Sequence, residues 1–447
     1  MKKNSRKTVM SGIAYFTLRI ISQSKHVLMQ SELKVNKILT ILICLSFTGF
    51  FFSIMVGNLL LLVLLLFCAT RLRPVDLLDS LRGNSLLQLF CASYLLLLIG
   101  LLYTKNISVG FFALEKKVAL LFAPLLLIPT LKKVKYQTEA LFTYVGLITI
   151  VSSFVMLLTA ACRFYLLDVS NAFYYQEITP IHYVYYAIYF AVGSLFLINS
   201  LINQTKHSAT IKWGLVALTG LYATFILVLI ASKTGIIAFL AGLSILLYKK
   251  IDQKRLVLMG LVPVIISTGV LLATNPTTLE RFKELNHSLH FLTLNDLRGE
   301  EINMNGLSMR LLFWKISTTH LINDGLFLAG VGTGDAQDYI NSLFLMPTYD
   351  IPSYVGWDPH NQWVFGFVQL GLLGVALLFL IYLKCIRMAI KTENYDLLVF
   401  VIITGFFSLS ESFLESNKGI VFFSVLLPLL VHRQQVMPQS MAVVDKI

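Results

Sequence analysis

Again and again this chain runs 18 residues or more without a single charged side chain, as at 85–102, 141–160, 183–202, 213–231 and 364–382. A run of that length fixes the solvent before it fixes the fold, because about 20 apolar residues in a helix cross a hydrocarbon core. Inside that core every backbone N–H and C=O must be paired within the chain, so only helices and closed β-barrels qualify. Barrel strands alternate polar and apolar positions over short segments. These runs do not alternate. With 57% hydrophobic and 13% charged residues, the composition excludes a soluble domain of this length. The expected fold is an all-α polytopic membrane protein.

Extending the same hydropathy criterion along the sequence gives about twelve spans. They are expected at 38–51, 53–70, 85–104, 118–131, 140–161, 183–202, 213–231, 234–248, 256–273, 363–383, 396–414 and 419–432. The basic surplus, 36 Lys and Arg against 23 Asp and Glu, is distributed so as to orient these helices. If the N-terminus is cytoplasmic, the inner segments hold 25 of the 36 and the short outer loops six. That is the positive-inside bias, and it removes the nucleic-acid reading that a net charge of +13 invites. The remaining five basic residues lie in 274–361, which also carries ten acids and is therefore an acidic outer loop. The expected organisation is a cytoplasmic arm, 1–37, then nine spans in 38–273. The large outer loop, 274–361, follows, then three spans in 362–432 and a cytoplasmic tail, 433–447. The arm includes an amphipathic stretch but no cleavable signal pattern. Five scattered cysteines form neither a disulfide framework nor a metal motif.

The polar residues that remain gather at one face. "GWDPHNQWVFGF", 356–367, sets Asp358, His360 and Asn361 between two tryptophans where the chain re-enters the bilayer. Asp358 before Pro359 reads as a helix N-cap with proline in the first helical position. His360 reads either as an interfacial residue beside aromatic anchors or as a group that takes a proton near neutral pH. Within the loop, 308–322 has helical spacing and ends at Asn323-Asp324-Gly325, placing Arg310 and Trp314 one turn apart. Arg310 is a solvated or carboxylate-paired arginine, or a guanidinium that grips a phosphate. "GVGTGD" lacks dinucleotide-fingerprint spacing and reads as a turn, followed by a short helix in "AQDYINSLFL". Lys233 sits in a tight outer turn at lipid-headgroup depth. Glu115, Lys116 and Lys117 read as a charged turn before a short span, or as cationic charge beside a lipid-borne anion. Glu411 and Glu415, one turn apart near the end of a span, are costly there unless paired, which makes them functional candidates.

An outer loop with "R…W" on a helix, then "GVGTGD", then "HNQW" entering a span, resembles the O-antigen ligase and O-antigen polymerase superfamily. "LEKKVALLFAPLL" and "ESFLESNKGIVFF" are similar to its Bacteroidetes-type members. The resemblance covers most of 38–432 and implies a GT-C-like glycosyltransferase of the bacterial inner membrane, its active site facing the periplasm. It implies an undecaprenyl-pyrophosphate-linked glycan as donor and lipid A–core or another glycan as acceptor, with no metal, nucleotide sugar or other cofactor. It also implies an essential histidine at His360 and an arginine at Arg310. Where family members commonly carry another arginine, in the turn 232–235, this chain has Lys233. A ligase is favoured over a repeat-unit polymerase. A flippase is the rival from another class, and the uncharged middles of most spans argue against it.

Overall fold

The computed structural model describes residues 34–134, 138–204, 208–250 and 306–432. The expected span 256–273, the loop portion 274–305, most of the arm and the tail lie outside the described residues. Among the described residues the secondary structure is helical throughout. The order is α1 (Lys34–Phe52), α2 (Ile54–Ala69), α3 (Pro74–Gly83), α4 (Ser85–Leu101), α5 (Ile107–Lys133), α6 (Thr138–Leu166), α7 (Tyr175–Ile178), α8 (Tyr183–Asn203), α9 (Ala209–Leu229) and α10 (Lys233–Lys250). After the undescribed stretch come α11 (Gly306–Asn323), α12 (Ala336–Phe344), α13 (Gln362–Lys391), α14 (Tyr395–Ser410) and α15 (Asn417–His432).

The bundle is built around α8, whose apolar window is 83% buried. It reads hydrophobic on every face, the pattern of a helix surrounded by other helices, and α6, α9, α10 and α14 pack around it. α15 is buried in the same way against α5. By contrast α9 is equally apolar but only 22% buried, with Leu218, Leu221 and Phe225 turned outward. Such a face is stable only in apolar surroundings. The chain is a multi-pass helical membrane protein.

Five described helices are long and apolar enough to cross a bilayer, or six if the bent pair α2–α3 counts as one span. Four shorter apolar helices, Ser85–Leu101, Lys233–Tyr248, Tyr395–Ser410 and Asn417–His432, fall below that length. At 16 or 17 residues they rise roughly 24–26 Å, short of a ~30 Å core. Among the described residues, length and composition therefore support five or six full spans and not the count of twelve. α3 also turns away from α2 by 101° rather than continuing it. A further departure concerns α5, which begins at Ile107 rather than near residue 118. Glu115, Lys116 and Lys117 are thus inside a helix and not in a turn before one.

α11 and α12 follow the sequence reading closely. α11 ends where Gly325 takes φ +74°, a conformation glycine adopts without strain. "GVGTGD", however, is more than a turn. It is a strap laid across a break in α13 at Gly371, where φ is +63° and ψ −157°. The break leaves Leu372 N–H without its helical carbonyl, and it donates instead to Phe327 O at 2.8 Å. In exchange Val331 and Gly332 donate to the freed carbonyls of Val368 and Gln369 at 2.9 and 3.0 Å. Backbone polar groups at this depth must be paired, and here a second segment pairs them. A Cβ on Gly371 would lie 2.3 Å from the Leu328 carbonyl carbon, so the close approach requires glycine. The strap ends at Asp335, whose carboxylate accepts from Lys105 N–H and Asn106 N–H at 2.7 and 2.8 Å. That bond pins the strap to the α4–α5 turn at one end of the bundle.

Candidate active site

At the same end, α13 begins with Asn361 as N-cap, its side-chain oxygen accepting from Trp363 and Val364 N–H at 2.9 and 3.2 Å. Asp358 is therefore not the cap. The reason lies at His360, whose φ of +46° cannot continue into a right-handed helix. Asp358 Oδ1 instead accepts the His360 N–H at 2.6 Å and closes a local turn. Two further bonds hold that turn. Trp314 on α11 donates its indole N–H to Pro359 O at 2.7 Å, and Ser412 donates to Asp358 Oδ1 at 3.3 Å. Asn361 Nδ2 donates to Leu409 O at 3.2 Å. Trp314, Asp358 and Asn361 thus hold the histidine loop in place through bonds to the protein.

Glu411, just past the end of α14, is the hub. Its Oε1 accepts from Arg310 Nη2 at 3.1 Å, and its Oε2 lies 3.1 Å from His360 Nδ1. A carboxylate only accepts, so the proton of a neutral ring sits on Nδ1 and Nε2 is left as the basic nitrogen. Asp358 Oδ1 is 3.6 Å from the same Nδ1. Burial is the largest single influence on His360 and works against charging it. The Glu411 hydrogen bond and the nearby Asp358 and Glu411 charges outweigh burial and the opposing Arg310, and they hold the His360 pKa above its ordinary value. Arg310 is carboxylate-paired, the first of its two sequence readings. Its Nε is buried with no hydrogen-bond partner among the described residues. The His360 side chain remains 28% exposed, so the cluster opens outward.

A second polar group lies deeper. Lys117 is ten residues into α5, about 15 Å along the helix, and only 4% exposed. Its Nζ donates to Glu415 Oε1 at 2.6 Å and to Gln369 Oε1 at 2.8 Å. Gln362 ties this pair to the loop above, accepting from Leu414 N–H at 2.6 Å. The buried charge is therefore fully paired, which is the condition for tolerating it. Lys117, Gln362, Gln369 and Glu415 form the main polar part of a cleft lined mostly by apolar residues such as Leu97, Leu370 and Leu378.

Two further candidates, Glu115 and Lys116, do not join either cluster. Glu115 is exposed on α5, and Lys116 lies over the Phe112 ring at 5.6 Å. Lys233 opens α10 at an exposed position. The described ion pairs of the upper cluster run among Arg310, Glu411, His360 and Asp358. His182, Tyr185 and Lys418 escaped the sequence reading. His182 precedes α8 at an exposed position, and its pKa is lowered, chiefly because neighbouring protein partly desolvates the ring and then by Lys418, with Glu411 opposing and His360 adding to the decrease. Lys418 Nζ lies 5.6 Å from the Tyr185 ring centroid. The signal was present in "IHYVYY", a histidine among aromatics at the lip of a span, as in "DPHNQW".

Residues 218–379 match a protein family described as O-antigen ligase. The match contains Lys233, Arg310, Trp314 and His360 and excludes Lys117, Glu411 and Glu415. No curated protein matches the chain.

Proposed function

We propose that this chain, a multi-pass membrane protein of the O-antigen ligase superfamily, transfers a glycan from an undecaprenyl-pyrophosphate carrier to an acceptor hydroxyl. The transfer takes place at the outer face of the bacterial inner membrane. The observation that carries this reading is the Arg310–Glu411–His360 constellation at the lip of α13.

The proposed chemistry draws on that geometry. Glycosyl transfer breaks the anomeric C–O bond to pyrophosphate and forms a C–O bond to the acceptor. His360 Nε2 takes the acceptor's proton as that bond forms, acting as general base. Glu411 fixes the tautomer and stabilises the imidazolium that results, the division of labour of a His–carboxylate pair. Arg310 uses one nitrogen on Glu411, and its remaining donors face the leaving pyrophosphate, where negative charge develops. Pyrophosphate is a good leaving group and leaves without a general acid. The amphiphilic donor suits the site: its headgroup meets the upper cluster while its polyprenyl chain lies along the apolar cleft below Lys117. Lys117 and Glu415 form the floor of the headgroup region in this reading, Lys233 adds cationic charge at its rim, Lys116 and Glu115 stay outside it, and Trp314, Asp358 and Asn361 position the histidine. No metal or other cofactor takes part.

In this reading both termini and the tail 433–447 are cytoplasmic, the short apolar helices also span, and 274–361 is periplasmic. The acceptor is lipid A–core or a similar glycan. Gene deletion read on a lipopolysaccharide gel tests the assignment. A ligase predicts loss of all polymer-bearing bands with accumulation of carrier-linked polymer. Core carrying one repeat indicates the repeat-unit polymerase instead, and an unchanged ladder contradicts both.

A further inference from the structure

The stretch 163–185, "RFYLLDVSNAFYYQEITPIHYVY", joins α6 to α8 and contributes nothing to the chemistry above. Its rings are nevertheless ordered into a series. Tyr174 and Tyr175 have centroids 4.5 Å apart, Tyr175 and Tyr183 4.8 Å, and Tyr183 and His182 4.9 Å. His182 continues to Tyr185 at 6.0 Å, and Tyr185 stacks on Phe413 at 6.3 Å. Phe413 is two residues from Glu411. The series therefore runs inward from Tyr174, 49% exposed, to Phe413, which is fully buried. Along it Tyr175, Tyr183 and Tyr185 are half-buried and His182 is exposed, so ring surface stays accessible. Its inner end is the candidate active site, where His182 senses both Glu411 and His360.

The connection is braced. Arg163 donates to Glu177 O at 3.0 Å and pairs with Glu177 Oε2 at 3.4 Å, closing the base of the segment across α7. A braced row of rings is preorganised, so a ligand does not bear the cost of ordering it. Each ring step is comparable to the length of one pyranose residue. Successive ring planes meet at 49°, 76° and 29°, so the row offers faces and edges in turn; pyranoses carry C–H groups on one face and hydroxyls around the rim, and they pack on the faces left open while the rim stays in water. An interfacial aromatic belt is the competing explanation for tyrosines at this depth. A belt keeps its rings at the lipid surface, whereas this series runs from exposed Tyr174 to fully buried Phe413, two residues from Glu411.

We propose that these rings form a track for an oligosaccharide, which lies across Tyr174, Tyr175, Tyr183 and His182 with its reacting end at Glu411 and His360. The track makes the enzyme selective for long glycans. This rests on the glycosyl-transfer reading of the same site. The shared chemistry is a run of pyranoses, supplied by the donor's glycan or by the acceptor's.

The test uses full-length protein in nanodiscs and carrier-linked glycan from the native cells, separated by size into short and long pools. Replacing Tyr174 and Tyr175 by alanine lowers kcat/KM for the long pool by about tenfold and leaves the short pool and the melting temperature unchanged. Replacing both by phenylalanine keeps the preference, because the ring and not the hydroxyl is used. Varying donor length at fixed acceptor, then acceptor length at fixed donor, tells which glycan occupies the track. Equal loss on both pools makes the rings a membrane or packing element and overturns the proposal; so does no loss on either. A binding readout separates this from failure of the catalytic reading. Glycan released from its carrier by mild acid shows saturation transfer from the protein in NMR, and the alanine pair abolishes it. Absence of transfer in the unaltered protein overturns the track whether or not the protein turns over.

Discussion

Replacing Glu411 by glutamine keeps the side chain's shape and removes the charge that joins Arg310 to His360. An amide offers one accepting oxygen and one donating nitrogen. If the oxygen faces Arg310, the NH2 faces His360 Nδ1 and forces the proton onto Nε2, the nitrogen that must be empty to receive the acceptor's proton. Transfer at the pH optimum falls by roughly 10²–10⁴-fold, the usual worth of a positioned base. The pH profile moves as well. The base works neutral, so activity drops as pH falls through the His360 pKa. Burial alone lowers that pKa, and Glu411 is one of the two carboxylates that raise it above the ordinary value. The glutamine variant should therefore show its acid limb at lower pH together with a reduced plateau that alkaline pH does not restore. Some stability is lost as well: the pair is part-buried, with Arg310 30% and Glu411 14% exposed, so the neutral side chain costs about 1–3 kcal/mol, too little to unfold the protein at the assay temperature. The assay is initial transfer rate against pH alongside a thermal melt. An acid limb that stays in place with an unreduced plateau refutes the His360–Glu411 pair as a catalytic unit.

Arg310→Lys loses most activity while Lys233→Arg retains it, measured as transfer by purified protein. A lysine cannot hold Glu411 and still offer a second donor to pyrophosphate, so wild-type activity in Arg310→Lys would return Arg310 to a structural role. Gly371→Ala unfolds the site end of α13, because positive φ and a 2.3 Å approach to the Leu328 carbonyl carbon leave no room for a methyl group. A melt in detergent should drop by an amount equivalent to about 1–3 kcal/mol or more, and an unchanged melt would mean the strap can move aside. Alkaline phosphatase fused near Asn305 should be active and the same enzyme near Lys391 inactive, and the reverse pattern inverts the topology.

How far the sequence reaches can be judged residue by residue. The apolar runs located α8 and α9 to within about four residues and the starts of α6 and α13 to within two, because a helix in lipid has no alternative way to pair its backbone, but α6 and α13 run five and eight residues past their expected ends. α11 was legible for a different reason, since Asn323-Asp324-Gly325 ends it through local turn chemistry. Bilayer depth was less legible. Lys116 and Lys117 look like a turn before a span, yet helix α5 carries Lys117 inside because Glu415, almost 300 positions later, pairs with it. The strap was opaque for the same reason. "GVGTGD" has only the glycine content of a turn, and its use is decided by Gly371, about 40 residues on. In the candidate site, His360, Arg310 and Glu411 were each visible as polar residues in costly places, but their convergence is a tertiary fact. His182 was passed over because its neighbours are aromatic rather than polar.

The central claim is that His360, held by Glu411, moves a glycan from a carrier pyrophosphate to a hydroxyl. Its most direct measurement mixes purified protein with native carrier-linked glycan and acceptor, then quantifies glycosylated acceptor and released carrier pyrophosphate. The account predicts equal amounts of both with unaltered protein, and neither with a His360→Ala variant that melts normally and still binds the carrier-linked glycan. Undiminished transfer by that variant, or no transfer by the unaltered protein, contradicts it.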